Sequence, residues 1–451
     1  MSYLSILFFF SLISIVTLVL SQPSPPQGIL IDCGALNTST IEGQQWVPDT
    51  DYISVGISKP VEIPDVLPIL SNVRSFPLGG DRKQKKFCYS IPVWRNWKYL
   101  IRTTYYYGGV NGGDFELPPV FDQIVDGTIW TVVNTTEEYV RGLSSYYEGV
   151  FVARGRSMSV CIGVNTYTDS DPFISALEVV VLGDSLYNTT NFTKYGLSLV
   201  ARSNFGYEDS IVSRRDSSSR SSRTFDVEVN GMKYYRKLSV TPSGVVVFAT
   251  RWPLSGLTNI TLTPSAGSKA SPLINAGEIF SLLPLGGRTI PRDVIALEAV
   301  KSSLQNPPAD WNGDPCMPLG YSWTGVTCSS NRNRTRVTSL NLSNMDLSGT
   351  ISPSVANLTA LTKIMLGNNS LTGPIPDLSS LRSLQRLHLQ KNQLTGTIPS
   401  TLGDIGSLRE LFIQNNFLTG QVPNNLMRKP GLSFRFSPGN NFSSASPSSR
   451  T

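Results

Sequence analysis

The segments Leu340-Asn-Leu342…Leu347-Ser-Gly-Thr-Ile351, Ile364-Met-Leu366…Leu371-Thr-Gly-Pro-Ile375, Leu387-His-Leu389…Leu394-Thr-Gly-Thr-Ile398 and Leu411-Phe-Ile413…Leu418-Thr-Gly-Gln-Val422 follow one another at spacings of 24, 23 and 24 residues. A repeat of that length builds a solenoid with one short strand per turn lining one face. No turn can bury its own leucines, so the pattern has meaning only when turns are stacked. Asn369, Asn392 and Asn416 hold the position where an inward side chain satisfies backbone groups at the bend, and Met345 replaces asparagine in the first turn. Four regular turns are expected, with Leu432-Ser-Phe434-Arg-Phe436 as a degraded fifth.

On each short strand the middle residue points out of the core. These are Asn341, Met365, His388 and Phe412, flanked by Lys363, Gln385, Arg386, Glu410 and Gln414. Lys363, Met365, Arg386, His388, Glu410 and Phe412 are therefore the candidate face for a protein partner, such as a membrane receptor kinase or co-receptor. His388 is the only histidine in the chain. There is no G-x-S-x-G nucleophile motif and no His/Cys metal cluster, and no carboxylate pair stands out. The expectation is a binding protein with no enzyme activity and no cofactor.

The 451 residues carry a net charge of +6, are 40% apolar and only 16% charged, and suit two or three β-rich domains. Basic clusters at Arg82, Lys83, Lys85 and Lys86, at Arg214, Arg215, Arg220 and Arg223, and at Arg332, Arg334 and Arg336 read as solvated loops; an anionic glycan or phosphate partner is the alternative. Residues 4–20 form an apolar run, and Val19 and Ser21 place a cleavage site before Gln22. Residues 1–21 are thus expected to be a signal peptide, with an uncleaved anchor as the alternative; both route the chain into the secretory pathway, as an extracellular, apoplastic or cell-surface product. Ten N-x-S/T sequons agree: Asn37, Asn134, Asn188, Asn191, Asn259, Asn333, Asn341, Asn357, Asn368 and Asn441. Cys316 and Cys328, just before the first repeat, read as a capping disulfide. Cys33, Cys88 and Cys161 are an odd set, whose pairing stays open.

Upstream, strand-like runs rich in β-branched and aromatic residues alternate with turns from Gly28 to Leu182, the pattern of a sandwich or jelly roll. A second β stretch, including Thr224–Gly231, Ser243–Phe248 and Ile260–Thr263, is interrupted at Ser213–Ser222 by a run of Ser and Arg expected to be disordered. The Pro291–Leu304 pattern predicts an amphipathic helix with Val294, Leu297, Val300 and Leu304 on one stripe, a natural cover for the first solenoid turn. The expected organisation is lobe 1 at 28–183, lobe 2 at 184–288, a cap at 289–336, the solenoid at 337–436 and a disordered tail at 437–451.

Several motifs carry a family resemblance. Ile31-Asp-Cys-Gly34, Arg74-Ser-Phe-Pro77, Cys88-Tyr89, Tyr99-Leu-Ile-Arg102 and Pro172–Glu178 resemble the malectin-like domain of plant receptor-like kinases. Trp311-Asn-Gly-Asp-Pro-Cys316, followed by Trp323-Thr-Gly-Val-Thr-Cys328, is similar to that family's junction motif, and the L-x-G-x-I-P half-repeats are similar to plant extracellular leucine-rich repeats. The resemblance runs from about residue 28 to 436. It implies a mainly β fold: a malectin-like jelly-roll sandwich with a shortened second lobe, then a short leucine-rich-repeat solenoid with a helical, disulfide-capped N-terminal cap. No kinase motif follows the repeats. Between Gly206 and Thr224 the family would place further strands, and here the Ser/Arg run stands instead.

By resemblance to malectin, lobe 1 is a candidate sugar site. Aromatic faces and polar hydroxyl partners are offered by Tyr105, Tyr106, Tyr107, Asn111, Asp114 and Phe115, with Asp171 as a nearby carboxylate; strand alternation puts at least one tyrosine in the core. The function implied is extracellular recognition of a glycan or peptide ligand, with no nucleic acid involved. An ER-resident lectin for glucosylated N-glycans and a degenerate, non-binding paralogue are the alternatives.

Overall fold

A computed structural model of the chain describes residues 28–443, apart from 80–84, 113–117, 185, 206–222, 241–244, 246, 248–255, 269–270, 275 and 332–333. The expected leader, the Ser/Arg run, most of the strand expected at 243–248, Asn333 and residues 444–451 lie outside the described residues.

The N-terminal half is built on one eight-stranded sheet. Its strands lie in the order Ala276–Pro284, Tyr195–Asn204, Ser145–Val152, Lys98–Tyr105, Ala176–Leu182, Gly28–Asp32, Gln44–Pro48 and Ser39–Ile41. A four-stranded sheet of Lys86–Pro92, Ser157–Gly163, Phe121–Val125 and Thr128–Val133 shares its core, as does a smaller sheet of Phe173–Ile174, Asn72–Ser75 and Ile57–Pro60. Ile31, Val73, Phe76, Tyr89, Ile101, Phe121 and Leu177 are buried between them. This is the expected sandwich.

The strands Tyr195–Asn204 and Ala276–Pro284, which the sequence assigned to lobe 2, continue the lobe 1 sheet. A ladder of alternating charge crosses the five strands at that end: Glu278, Arg202, Glu148, Arg102 and Glu178. Arg202 donates to Glu148 at 3.0 Å and to Glu278 at 2.8 Å, while Arg102 donates to Glu148 at 2.9 Å and to Glu178 at 3.1 Å. The Glu148 side chain is fully enclosed. Burial raises its pKa, but hydrogen bonds from Arg202 and Arg102 outweigh that and hold the carboxyl below its ordinary value. A separate three-stranded sheet, Met232–Val240, Arg223–Val229 and Ile260–Pro264, completes the described part of lobe 2.

The cap helix runs Pro291–Ser303 and buries Asp293, Ala296, Leu297 and Val300, while Val294 is only half-buried. The inward stripe is therefore rotated by about one residue from the expected one. The cause is Asp293, which accepts from Val337 N and from Arg336 Nε, each at 2.9 Å, and so pins the helix to the first solenoid strand. Arg336 is accordingly an ion-pair partner, not a solvated loop cation. Behind the helix, Trp311 and Trp323 stack at 5.1 Å, and the Cys316–Cys328 disulfide closes the cap as expected.

From Arg334–Asn341 the strands Lys363–Met365, Arg386–His388, Glu410–Phe412 and Ser433–Arg435 add in parallel register. The asparagines act as expected. Asn392 donates to Leu366 O at 3.0 Å and Leu389 O at 3.1 Å and accepts from Leu371 N at 3.0 Å. Asn369 and Asn416 do the same one turn to either side. The series continues at Asn440, which donates to Ile413 O and Phe436 O and accepts from Leu418 N. The fifth turn is thus ordered, and Asn441–Phe442 pairs with Thr419–Gly420, so the tail expected to be disordered from 437 is structured as far as 443.

Of the three open cysteines, Cys88 and Cys161 form a disulfide between register partners on adjacent strands, and Cys33 is free and buried. That disulfide lies within lobe 1, on the surface that meets the cap. Gly313 has φ +66°, and a Cβ there would lie 3.0 Å from Cys88 Sγ, so only glycine lets the cap approach. Tyr321 packs with Cys88, Ile124 and Cys161, and its hydroxyl donates to Asp122 Oδ2 at 2.6 Å. Lys86, expected on a solvated loop, is buried here and donates to Asp314 O at 2.8 Å and Met317 O at 3.2 Å.

Two predictions follow from these contacts. Asn392→Ala takes the acceptor from buried Leu371 N and one of two amide donors from each of Leu366 O and Leu389 O, and should lower unfolding stability by about 2 kcal/mol in denaturant titration. Burial pushes the Lys86 ammonium down to about 8, against the pull of Asp314 and Asp310. Above that pH the folded chain gives up a proton that the unfolded chain keeps until its ordinary value of 10.5, so Lys86 makes stability rise across that window. Thermal unfolding from pH 7.5 to 10.5 should show this component in the wild type and lose it in Lys86→Met.

Candidate functional site

The solenoid strands align their outward residues into two rows. One row is Ser339, Lys363, Arg386, Glu410 and Ser433; the other is Asn341, Met365, His388, Phe412 and Arg435. All six residues expected on the partner face therefore lie together on one surface. Glu410 holds the middle, accepting from Arg386 Nε at 3.1 Å and lying 2.8 Å from His388 Nε2. The His388 ring stacks on Phe412 at 4.3 Å and 16°, and the Arg435 guanidinium lies over Phe412 at 4.7 Å. Arg435 was not among the expected face residues. Its signal was the repeat period carried one turn further, from Phe412 into the degraded repeat.

Next to this row Gln390 packs over Gly367, and Gln390 and Gln414 each leave a buried Oε1 without a hydrogen-bond partner. Arg386 pairs with Glu410, which leaves Lys363 and Arg435 to give the face its excess of positive charge. The surface combines a flat aromatic–cationic strip with acceptors that lack a donor.

Lobe 1 divides its expected residues. Tyr105, Tyr106 and Tyr107 are all buried. Tyr105 meets Phe121, Tyr147 and Phe173 edge-on at 5.5, 5.9 and 6.1 Å, and Tyr107 meets Tyr139 at 5.0 Å. The strand ends at Tyr105, and Tyr106 N then takes a hydrogen bond to Ser175 Oγ, so alternation stops and the next two rings also turn inward. These rings are occupied by packing and offer no open face to a pyranose, which corrects their placement as a sugar platform. Asp114 and Phe115 lie outside the described residues.

Asn111 and Asp171, by contrast, come together at the rim. Asn111 Nδ2 donates to Ser170 Oγ at 3.1 Å and to Asp171 O at 3.0 Å. Lys59 Nζ, from the strand Ile57–Pro60, reaches Asn111 Oδ1 at 3.4 Å and Asp171 Oδ2 at 3.5 Å, and Leu78 N donates to Asp171 Oδ1 at 2.9 Å. Lys59 was not foreseen, because only the fold brings that strand beside residue 171.

Beneath the rim lies a buried charged group. Asp49 accepts from Gly34 N, Arg74 and Tyr89 Oη, with the free thiol of Cys33 beside it. Asp32 is buried next to this centre with Oδ1 unpartnered. Burial, and then the charge of Asp49, push its carboxyl up to about 7.

The nine described sequon asparagines are all exposed. Among the described residues no group of three or more His, Cys, Asp and Glu could hold a metal, and no helix is long and apolar enough to cross a membrane.

Comparison with known proteins places this architecture. The malectin-like domain family matches residues 31–221, the leucine-rich-repeat N-terminal domain matches 290–329, and the leucine-rich repeat matches 383–405. The chain carries malectin-like and leucine-rich-repeat domains and is similar to plant leucine-rich-repeat receptor kinases over their ectodomain region. A probable LRR receptor-like serine/threonine-protein kinase of Arabidopsis thaliana is 29% identical over 470 positions, covering 82% of this chain and 48% of the relative. Another from the same plant, PAM74, is 27% identical over 423 positions, covering 74% and 46%. The chain thus spans about half the length of the curated relatives it matches, in their ectodomain region. Since 82% of 451 residues is about 370, roughly 100 positions of the first alignment have no counterpart here. Among solved structures, the BIR2 ectodomain from Arabidopsis thaliana is 35% identical, covering 34% of this chain and 82% of its own, with a TM-score of 0.31. The ANX2 ectodomain from the same plant is 12% identical, covering 57% and 97%, with a TM-score of 0.38.

Asp32 yields a prediction for this malectin-like lobe. Between its ordinary value of 3.8 and about 7 the folded lobe keeps a proton that the unfolded chain releases. Its contribution is therefore favourable in acid and is lost as pH rises through 7. Unfolding midpoints from pH 4 to 8 should fall with rising pH, and Asp32→Asn should remove that slope.

Proposed function

We propose that the chain is an extracellular recognition module that docks a protein partner on the concave face of its solenoid. The observation that carries this reading is the Arg435–Phe412–His388 stack beside Glu410, with the two unpartnered glutamine oxygens next to it. Aromatic and arginine side chains in a rigid, partly dehydrated patch are what interface hot spots are made of. A parallel strand row also gives such a patch little freedom to lose on binding. The homologous kinases supply the context of a membrane receptor or co-receptor as the partner. The exposed sequons and the resemblance of residues 4–20 to a leader support the secretory route.

A second reading assigns a glycan or peptide ligand to lobe 1, and one observation favours it: Lys59, Asn111, Ser170 and Asp171 converge on a half-exposed rim. Amide, carboxylate and ammonium groups together can bracket vicinal hydroxyls.

The two readings separate by binding measurements. Against a panel of plant leucine-rich-repeat receptor ectodomains, Phe412→Ala and Arg435→Ala should each weaken partner binding about tenfold or more, with Asp171→Asn neutral. On a glycan array the order reverses: Lys59→Ala and Asp171→Asn lose the signal, and Phe412→Ala keeps it. A panel partner that binds all three solenoid and rim variants equally would refute docking on the concave face.

A further inference from the structure

Sugar acceptors are spread unevenly along the solenoid. The sequons Asn341, Asn357 and Asn368 fall in its first two turns, and residues 369–440 hold none. The three are exposed at different places on those turns. Asn341 heads the outward row of Met365, His388, Phe412 and Arg435; Asn357 ends the 3-10 helix Pro353–Asn357; Asn368 stands in the bend beyond Lys363–Met365. Asn441, the next sequon, belongs to a different sheet from the outward row. Charge follows the same division. Residues 337–368 hold one lysine and one aspartate, whereas 369–440 hold seven Lys and Arg against three Asp and Glu, an excess of four positive charges. Among the described residues of 337–443, the exposed large hydrophobics are Phe417 and Met427, both in the second stretch.

We propose that N-glycans on Asn341, Asn357 and Asn368 close the first two turns, so that the docking footprint is the cationic, sequon-free stretch 369–440 and its partner is a protein presenting an acidic surface. Given docking on the concave face, on which this rests, the geometry of the row sets the boundary. Neighbouring strands lie about 4.8 Å apart, so Met365, His388 and Phe412 stand about 5, 10 and 15 Å from Asn341. An N-linked sugar is bulky and hydrated. A partner laid over Met365 would collide with it, while one centred on Phe412 and Arg435 would not. Lys363 then lies on the covered side. Arg386 is paired with Glu410, so Lys391 and Arg435 supply the attraction that steers an acidic surface onto the stack.

The repeat also provides a way to move a sugar. Asn415-Asn416-Phe417 stands where turn two has the sequon Asn368-Asn369-Ser370. Asn415 is exposed like Asn368 and shares its left-handed backbone, φ +57° against +59°. Phe417→Ser therefore places an acceptor inside the open stretch, and Phe417→Ala removes the same ring without one. The probe is the panel ectodomain whose binding Phe412→Ala weakens, measured against the chain expressed through the secretory pathway, with glycopeptide mass spectrometry at each site. Sugar is expected at Asn341, Asn357 and Asn368, and binding should fall as salt rises from about 50 to about 500 mM. Phe417→Ser should bind about tenfold or more weaker than Phe417→Ala, and enzymatic removal of the sugar should reverse that loss. Asn341→Gln with Asn368→Gln should bind like the wild type. Bare Asn341 and Asn368 in the wild type overturn the proposal, as does binding indifferent to salt. If Phe417→Ser is not secreted or stays bare at Asn415, Lys391→Asn with Gln393→Thr puts the acceptor in turn three and is judged in the same way. A partner that needs Phe412 yet tolerates the added sugar sinks this proposal alone. A panel in which no member loses affinity with Phe412→Ala sinks concave-face docking and this footprint together.

Discussion

A solenoid turn buries its leucines only if something lies on both sides of it, so the whole molecule depends on how the stack is ended. At the N-terminal end the answer is Asp293. Fully buried at the first turn of the cap helix, it takes Val337 N and Arg336 together and so fixes the helix against the first strand. A carboxylate with that much compensation is held by its partners, whereas one left unpaired in the same place would be strongly destabilising. The stacked tryptophans and the Cys316–Cys328 bond fill the space behind it. At the far end, Phe434, Phe436 and Phe442 pack together under the hydrogen bonds of Asn440. In this last described turn phenylalanine stands at 434 and 436, where the preceding turns hold leucine or isoleucine.

The cap also serves as the floor on which lobe 1 stands. Lys86 and the Cys88–Cys161 bond meet the segment Asn312–Met317, and Tyr321 of the cap reaches back to Asp122. A buried lysine that reaches only carbonyl oxygens tolerates little displacement, because its donors would then face apolar atoms. Lobe and solenoid thus share a junction whose partners lie more than two hundred residues apart in sequence.

That separation explains what could be read from the chain beforehand. The solenoid was legible because each of its rules is local: a period of 23 or 24 residues sets the strands, the inward asparagines and the outward row together. The same period, carried one turn further, points to Arg435 and Asn440, so those were omissions of arithmetic. The lobe 1 site was legible only in part. Asn111 and Asp171 were identifiable as polar residues at turns, but Lys59 joins them through tertiary pairing. The tyrosines misled because alternation applies inside a strand, and two of the three lie just past its end. Lys86 and Arg336 looked like solvated cations because composition carries no information about which loop another domain covers.

The shortened lobe shows how a sandwich responds to the loss of strands. Tyr195–Asn204 and Ala276–Pro284 had two ways to satisfy their backbone: each other alone, or the neighbouring sheet as well. A lone hairpin is marginal in water, while addition to an existing sheet brings both a ladder and a covered face. Backbone pairing to Ser145–Val152 is short, with Gly149 opposite Ser198 and Val150 opposite Leu197. Side chains therefore carry much of the attachment. Arg202 bridges Glu278 on the outer strand and Glu148 on the inner one, and Glu148 is in turn held by Arg102. With its carboxylate enclosed between two guanidinia, the pair of strands cannot slide by one residue without stranding a buried charge. The electrostatic ladder thus sets the register that the short backbone contact leaves weakly specified, and in doing so makes the remnant of lobe 2 the outer edge of lobe 1.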